Sequence, residues 1–191
     1  DIGNDTIAFS DYASRTTGVI VDLSKNQTYG SLDTYRVIND GFGNAKYLDS
    51  IENVIGTKYD DIIFGNSDSN TLIGGEGNDT LKGGLGADVL DGGVGEDWAY
   101  FDDIVVSGVN IVLDTDGNSA NGSSGTANIT GYTTTLIGIE HIKATALEDT
   151  IKGDDNTNSI LSGSGNDTIF ASKGGDYIDG GEGSDLLDFS A

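Results

Sequence analysis

The chain has 191 residues, with 32 Asp or Glu against 9 Lys or Arg, and a formal charge of −23. That balance excludes nucleic acid and anionic membrane as partners, since both are recognised by Lys and Arg clusters, and it calls for a cationic counterpart. The absence of Cys removes disulfides, thiolate catalysis and Cys-based zinc or iron–sulfur centres, and no apolar run is long enough to insert in a membrane.

Leu, Ile, Val and Phe make up about a quarter of the chain, above the level at which charge alone implies disorder, so a thin core is expected. No basic, then apolar, then small-residue pattern opens the chain as a signal peptide. Met is missing even at position 1, which is expected of a piece of a longer protein.

Taken from the N-terminus, residues 1–9 carry GNDTIA, the tail of a nine-residue pattern with Asp5 at its sixth position and Ile7 at its eighth. Residues 10–46 interrupt the pattern, and the alternation in GVIVDLS at 18–24 predicts a strand. Residues 47–101 form a first block, reading YLDSIENVI, GTKYDDIIF, GNSDSNTLI, GGEGNDTLK, GGLGADVLD and GGVGEDWAY. The last three match GGxGxDxUx, where U is aliphatic, although Ala99 is small. Residues 102–134 interrupt again, with a second strand signal in GVNIVLDT at 108–115. Residues 135–191 form the second block, TLIGIEHIK, ATALEDTIK, GDDNTNSIL, SGSGNDTIF, ASKGGDYID and GGEGSDLLD.

The blocks align without a gap. Sixth positions Glu52, Asp61, Asn70, Asp79, Asp88 and Asp97 answer to Glu140, Asp149, Asn158, Asp167, Asp176 and Asp185. Eighth positions run Val54, Ile63, Leu72, Leu81, Leu90, Ala99 and then Ile142, Ile151, Ile160, Ile169, Ile178, Leu187. The two interruptions differ in length, which predicts a variable surface loop near KNQTYGS (25–31) or SANGSSG (119–125). Both interruptions are expected to continue the β layer with extra strands.

Each nonapeptide divides into a Gly- and Asp-rich turn, where positive φ costs little, and a three-residue strand whose middle side chain points inward. Such a strand cannot stand alone, and stacking successive repeats into a solenoid buries the aliphatic column. One aliphatic per nine residues recovers less than the entropy of ordering them, and the stacked carboxylates repel. A hard divalent cation between coils removes both difficulties. Carboxylates and peptide carbonyls suit calcium, magnesium demands stricter geometry, and zinc and copper lack His and Cys ligands.

These residues resemble the RTX (repeats-in-toxin, haemolysin-type) calcium-binding nonapeptide repeat. The resemblance implies an all-β fold, a right-handed parallel β-roll (β-solenoid) with two nonapeptides per coil and the two blocks joined by non-repeat β segments. It implies several Ca2+ ions, each held between stacked turns by two sixth-position carboxylates and by carbonyls of the first four positions. Carried over, the fullest site joins 74–79 to 92–97 through Asp79, Asp97 and the carbonyls of Gly74, Glu76, Gly93 and Gly95, with Gly75, Gly77 and Gly92 completing the turns. Its counterpart joins 162–167 to 180–185 through Asp167 and Asp185, in turns built on Gly163, Gly165, Gly180, Gly181 and Gly183. On the other side Asp88, in the turn of Gly83, Gly84 and Gly86, pairs with Asn70, and Asp176 pairs with Asn158; the neutral amides should weaken both sites. Asp61 with Asp79 and Asp149 with Asp167 should be intermediate, because GTKYDD and ATALED lack most of the glycines. ASKGGD lacks its leading glycines, so the second block should bind more weakly.

Phe9, Phe101 and Phe189 each stand where a following repeat would need its first Gly. The ladder is expected to stop there, with the ring covering the open core and Trp98 and Tyr100 assisting. DTDGNSANGSSG at 114–125 begins like an EF-hand loop but lacks its Gly and closing Glu, so it reads as a polar turn. Three of the six N-x-S/T triplets are the NDT of the repeat itself, and no phosphate-binding Gly motif is present. His141, the only histidine, is expected to face solvent from a seventh position, with no nucleophile or orienting partner to make it catalytic.

The expected function is a non-catalytic calcium-binding scaffold that folds after secretion. The resemblance implies type I secretion and a bacterial extracellular or cell-surface location, with the chain a monomeric segment of an adhesin, a toxin or an exoenzyme. A calcium-dependent polysaccharide-binding module, as in an alginate epimerase, is the alternative.

Overall fold

The computed structural model describes residues 3–9, 15–29, 32–44, 46–48, 50–113, 124–170 and 172–189, with side chains described for all of these except 25–38 and 46–47. The chain opens with β1 (Thr6–Ala8), β2 (Ile20–Tyr29), β3 (Leu32–Asn39) and β4 (Lys46–Leu48), the last running into the first residues of the block predicted from residue 47. The block contributes β5 (Asn53–Ile55), β6 (Ile62–Phe64), β7 (Thr71–Glu76), β8 (Thr80–Lys82), β9 (Val89–Val94) and β10 (Trp98–Tyr100). Next come β11 (Asn110–Val112), β12 (Gly125–Ile129) and β13 (Tyr132–Ile137), whose last three residues are the first of the block predicted from residue 135, and the rest of that block gives β14 (His141–Lys143), β15 (Thr150–Lys152), β16 (Ser159–Leu161), β17 (Thr168–Phe170), β18 (Tyr177–Asp179) and β19 (Leu186–Asp188).

Successive repeat strands alternate between two sheets. The ten-stranded sheet runs β1-β5-β7-β9-β13-β12-β11-β15-β17-β19, and the nine-stranded sheet runs β18-β16-β14-β10-β8-β6-β2-β3-β4. Within each block a strand pairs in parallel with the strand two repeats later: Leu72 opposes Leu90, Ile63 opposes Leu81, and Ile151 opposes Ile169. The fold is therefore all-β, a parallel β-roll with two nonapeptides per coil.

The core is the eighth-position column, because a three-residue strand with polar flanks can turn only its middle side chain inward. From Val54 to Ile169 none of these residues exceeds 1% exposure, and Leu81, Leu90 and Ile151 are at 0%. Toward the C-terminal end Ile178 is half-buried and Leu187 is 38% exposed.

The two strand signals in the interruptions are β2 and β11, and each begins an antiparallel three-stranded meander. One meander extends the nine-stranded sheet through β2 and β6; the other is inserted in the ten-stranded sheet between β9 and β15. Residues 25–29, predicted as part of a loop, continue β2 instead, and residues 30–31 lie outside the described residues. Most of the EF-hand-like stretch, residues 114–123, and the adjoining loop prediction lie outside the described residues.

The phenylalanine stops need correction. The ladder does not end at Phe101, because β10 pairs directly with β14 and Ala99 opposes Ile142. Phe101 is 3% exposed inside one core shared by both blocks, and its N–H donates to Lys143 O at 2.8 Å. Trp98 and Tyr100 lie on the outer face of β10. Phe9 is half-buried against the core, whereas Phe189 is 78% exposed.

Candidate metal centre

The turns stack in two columns, one on each side of the roll. In both, a sixth-position side chain accepts the backbone N–H of the sixth residue one coil earlier. Asp61 N–H donates to Asp79 Oδ1 at 2.7 Å, Asp79 N–H to Asp97 Oδ1 at 2.7 Å, and Asn70 N–H to Asp88 Oδ1 at 2.9 Å. In the second block Asp149 N–H donates to Asp167 at 2.8 Å, Asp167 N–H to Asp185 at 3.1 Å, and Asn158 N–H to Asp176 at 3.0 Å. This ladder occupies one oxygen of each carboxylate.

The other oxygen divides the positions into classes. Oδ2 of Asp79, Asp88, Asp97 and Asp167 is buried with no hydrogen-bond partner in good geometry among the described residues, although at Asp88, where burial raises the carboxyl, the nearby Thr134 hydroxyl pulls it down. A carboxylate oxygen taken from water without a donor is costly unless a proton or a cation replaces the lost solvation. Burial accordingly pushes Asp79 up to about 7, and Asp88 and Asp97 up to about 6.

Asp61 and Asp149 are satisfied differently. Thr57 N–H donates to Asp61 Oδ2, while the Thr57 hydroxyl and Val19 N–H serve Oδ1. Thr145 N–H donates to Asp149 Oδ2 at 2.9 Å, and the Thr145 hydroxyl and Val109 N–H serve Oδ1 at 2.8 and 2.7 Å. Burial still raises both carboxyls, but these bonds oppose it, and the nearby charge of Arg15 helps to hold Asp61 down. Glycine-poor turns thus supply a threonine where the full turns leave an oxygen without a partner.

The asparagines are occupied as well. Asn70 Oδ1 accepts Asn66 N–H at 2.8 Å and Nδ2 donates to Glu52 O at 2.8 Å. Asn158 repeats this with Asp154 N–H at 2.9 Å and Glu140 O at 3.1 Å. Asp176 accepts the Ser172 hydroxyl at 3.0 Å, and Asp185 is exposed toward the C-terminal end.

The backbone closes the centre. A Cβ at Gly74 would lie against Asp79 Oδ2 and 2.7 Å from Gly92 O, so that carbonyl faces back toward the earlier coil. A Cβ on Gly93 or Gly95 would strike Gly75 O or Gly77 O, which face forward. Gly163 O and Gly165 O stand likewise beneath Gly181 and Gly183. The expected ligand carbonyls are those of Gly74, Glu76, Gly93 and Gly95; between 74–79 and 92–97 the carbonyls that face each other are instead those of Gly92 from the later coil and Gly75 and Gly77 from the earlier. Successive carbonyls of extended backbone point opposite ways, so first and third positions look back while second and fourth look forward. Val94 O, a third position, accepts Gly77 N–H from the earlier coil at 2.9 Å.

Among the described residues no three His, Cys, Asp or Glu side chains gather into a metal-ligating cluster. The donor set is instead two carboxylates plus carbonyls, all hard oxygens, which fits calcium. His141 is more covered than expected, with a side chain 12% exposed. Its Nδ1 accepts Ser159 N–H at 3.0 Å, Nε2 is 3.3 Å from Glu96, and its ring centre is 4.9 Å from that of Trp98. Among the described residues, no helix is long and apolar enough to cross a membrane.

Stacked pairs of half-satisfied carboxylates, repeated along a parallel roll and faced by carbonyls, define a repeat scaffold organised around hard cations. The family model of the RTX calcium-binding nonapeptide repeat matches in four copies, at residues 49–81, 64–99, 136–169 and 152–187, together more than half of the chain. The chain belongs to this family, its repeats form a calcium-binding structural module, and its cofactor is Ca2+. No curated protein matches the chain.

Proposed function

We propose that the chain is a calcium-triggered scaffold of a secreted protein, in which ions placed between coils convert a self-repelling polyanion into a stiff roll. The observation that carries this reading is the set of buried, unpartnered Oδ2 atoms of Asp79, Asp88, Asp97 and Asp167. Two principal sites follow. One uses Asp79, Asp97 and the carbonyls of Gly92, Gly75 and Gly77; the other uses Asp167, Asp185 and the carbonyls of Gly163 and Gly165. Sites involving Asn70 with Asp88 and Asn158 with Asp176 are weaker, since each amide lacks charge and already accepts an N–H. Asp61 and Asp149 contribute least, because a threonine already serves them.

On this reading residues 47–101 and 135–191 are the ion-bearing blocks, 1–9 is the tail of a further block, and 10–46 and 102–134 are sheet extensions. Extracellular calcium modules bind at roughly 0.1 to 1 mM, so the chain stays expanded in calcium-poor cytoplasm and folds after export. A spacer in an adhesin, toxin or exoenzyme needs stiffness and no catalysis, which agrees with a repeat that commits its carboxylates to structure. Circular dichroism and small-angle scattering test the mechanism: millimolar calcium should produce β signal and compaction, and chelator should abolish both. Equal compactness in the two conditions would overturn it.

A further inference from the structure

The junction between the blocks carries an arrangement that the nonapeptide pattern does not foresee. Ile137 pairs with Asp91, so Gly138 follows in register opposite Gly92, the first position of a full turn. The nine-residue frame had made Gly138 a fourth position. The connection from β13 to β14 is consequently only Gly138, Ile139 and Glu140, half the length of the turn at 92–97. Glu140 has one methylene more than Asp, and that reach compensates for the shorter turn: Asp97 N–H donates to Glu140 Oε2 at 2.8 Å, the bond an aspartate makes elsewhere in the ladder.

The other partners of a site are also present. Asp97 is 0% exposed, and its Oδ2 has no hydrogen-bond partner among the described residues. A Cβ on Gly92 would lie 2.6 Å from that oxygen and against Gly138 O, so the two oxygens flank one point as Asp79 Oδ2 and Gly92 O do one coil earlier. The same short turn recurs at 50–52, where Asp5 N–H donates to Glu52 Oε2 at 2.8 Å and Ser50 adopts the φ of 53° seen at Gly138.

We infer that Asp97, Glu140 and the carbonyl of Gly138 hold a calcium ion at the block junction, outside the repeat-to-repeat sites, and that this ion couples the two blocks into one cooperative roll. The inference rests on the calcium-scaffold reading above. Two carboxylates and a peptide carbonyl are the hard oxygen ligands that calcium prefers.

Native mass spectrometry of the whole chain in calcium tests it. Glu140→Gln keeps an oxygen to accept Asp97 N–H but removes the charge, and should bind one ion fewer than wild type. An unchanged count in the variant overturns the junction site alone, whereas a wild-type chain that binds no calcium overturns the scaffold reading as well. Anomalous diffraction from calcium-grown wild-type crystals gives a readout independent of any variant. A peak between Asp97 Oδ2 and Gly138 O supports the inference; peaks at the Asp79–Asp97 pair with none at the junction overturn it.

Discussion

Asp79 donates its backbone N–H to Oδ1 of Asp97 at 2.7 Å while its own Oδ2 stays buried without a hydrogen-bond partner among the described residues. One aspartate therefore serves two coils, anchoring backbone through one oxygen and facing a carbonyl with the other. Asp79→Asn keeps an acceptor for Asp61 N–H but removes the charge that a cation needs. The calcium concentration at half-folding, followed by circular dichroism, should rise about tenfold, equivalent to about 1.4 kcal/mol. Asp61→Asn should move that midpoint much less, since Thr57 already serves Asp61. Equal shifts in the two variants would remove the distinction between partnered and unpartnered carboxylates.

The raised carboxyls set a pH dependence with a definite sign. In the folded, calcium-free chain Asp79 and Glu140 titrate at about 7 and Asp88 and Asp97 at about 6, all raised chiefly by burial, against 3.8 for Asp and 4.5 for Glu in the open chain. Between those limits the folded state holds more protons than the unfolded state, so stability is greatest at the acid end and is lost as pH rises. Circular dichroism in solutions stripped of divalent ions should show more β signal near pH 5, where these carboxyls are protonated, than near pH 8, where the chain is expanded. With calcium present the order should reverse, because the ion requires deprotonated ligands. A calcium-free chain more stable at pH 8 would contradict the burial of these groups.

Thr57→Val deletes the hydroxyl that donates to Asp61 Oδ1 at 3.1 Å and accepts Tyr59 N–H at 3.1 Å. A hydrogen bond to a charged group is worth about 2 kcal/mol, and the loss should appear in denaturant unfolding at saturating calcium. The number of bound ions should not change. A lost ion would mean that Thr57 belongs to a metal site.

Gly93→Ala and Gly131→Ala separate two causes of glycine use. Both residues have positive φ, 99° and 88°, but a Cβ on Gly131 meets open space while one on Gly93 strikes the carbonyl of Gly75. Gly131→Ala should cost only the left-handed penalty of about 1–2 kcal/mol. Gly93→Ala should cost considerably more and broaden the calcium transition, because it forces two stacked coils apart. Similar losses in calcium-saturated melts would show that conformation alone selects glycine there.

Much of the roll was legible in the chain. A nine-residue period with one aliphatic per repeat leaves each strand only one side chain to bury, so neighbours two repeats apart must stack, and Leu72, Leu90, Ile151 and Ile169 do so. The threonine partners were within reach, since Thr57 and Thr145 each stand four residues before an aspartate in equivalent repeats of the two blocks. The junction was not. Gly138 shifts frame because the antiparallel pairing of β12 with β13 and the parallel pairing of β13 with β9 set its register, and no periodicity within the repeats encodes that. Phe101 could not be placed either, since its burial depends on β14 continuing the sheet beside β10.

The order of residues along this chain determined a stacked roll with a column of acidic and amide side chains on each side, because spacing alone decides which side chains share a face. Only the tertiary structure decided what each carboxylate oxygen meets. Lone pairs are matched by donors from adjoining coils, such as Val19 for Asp61 and Val109 for Asp149, and those partners lie many residues away, where local pattern carries no information.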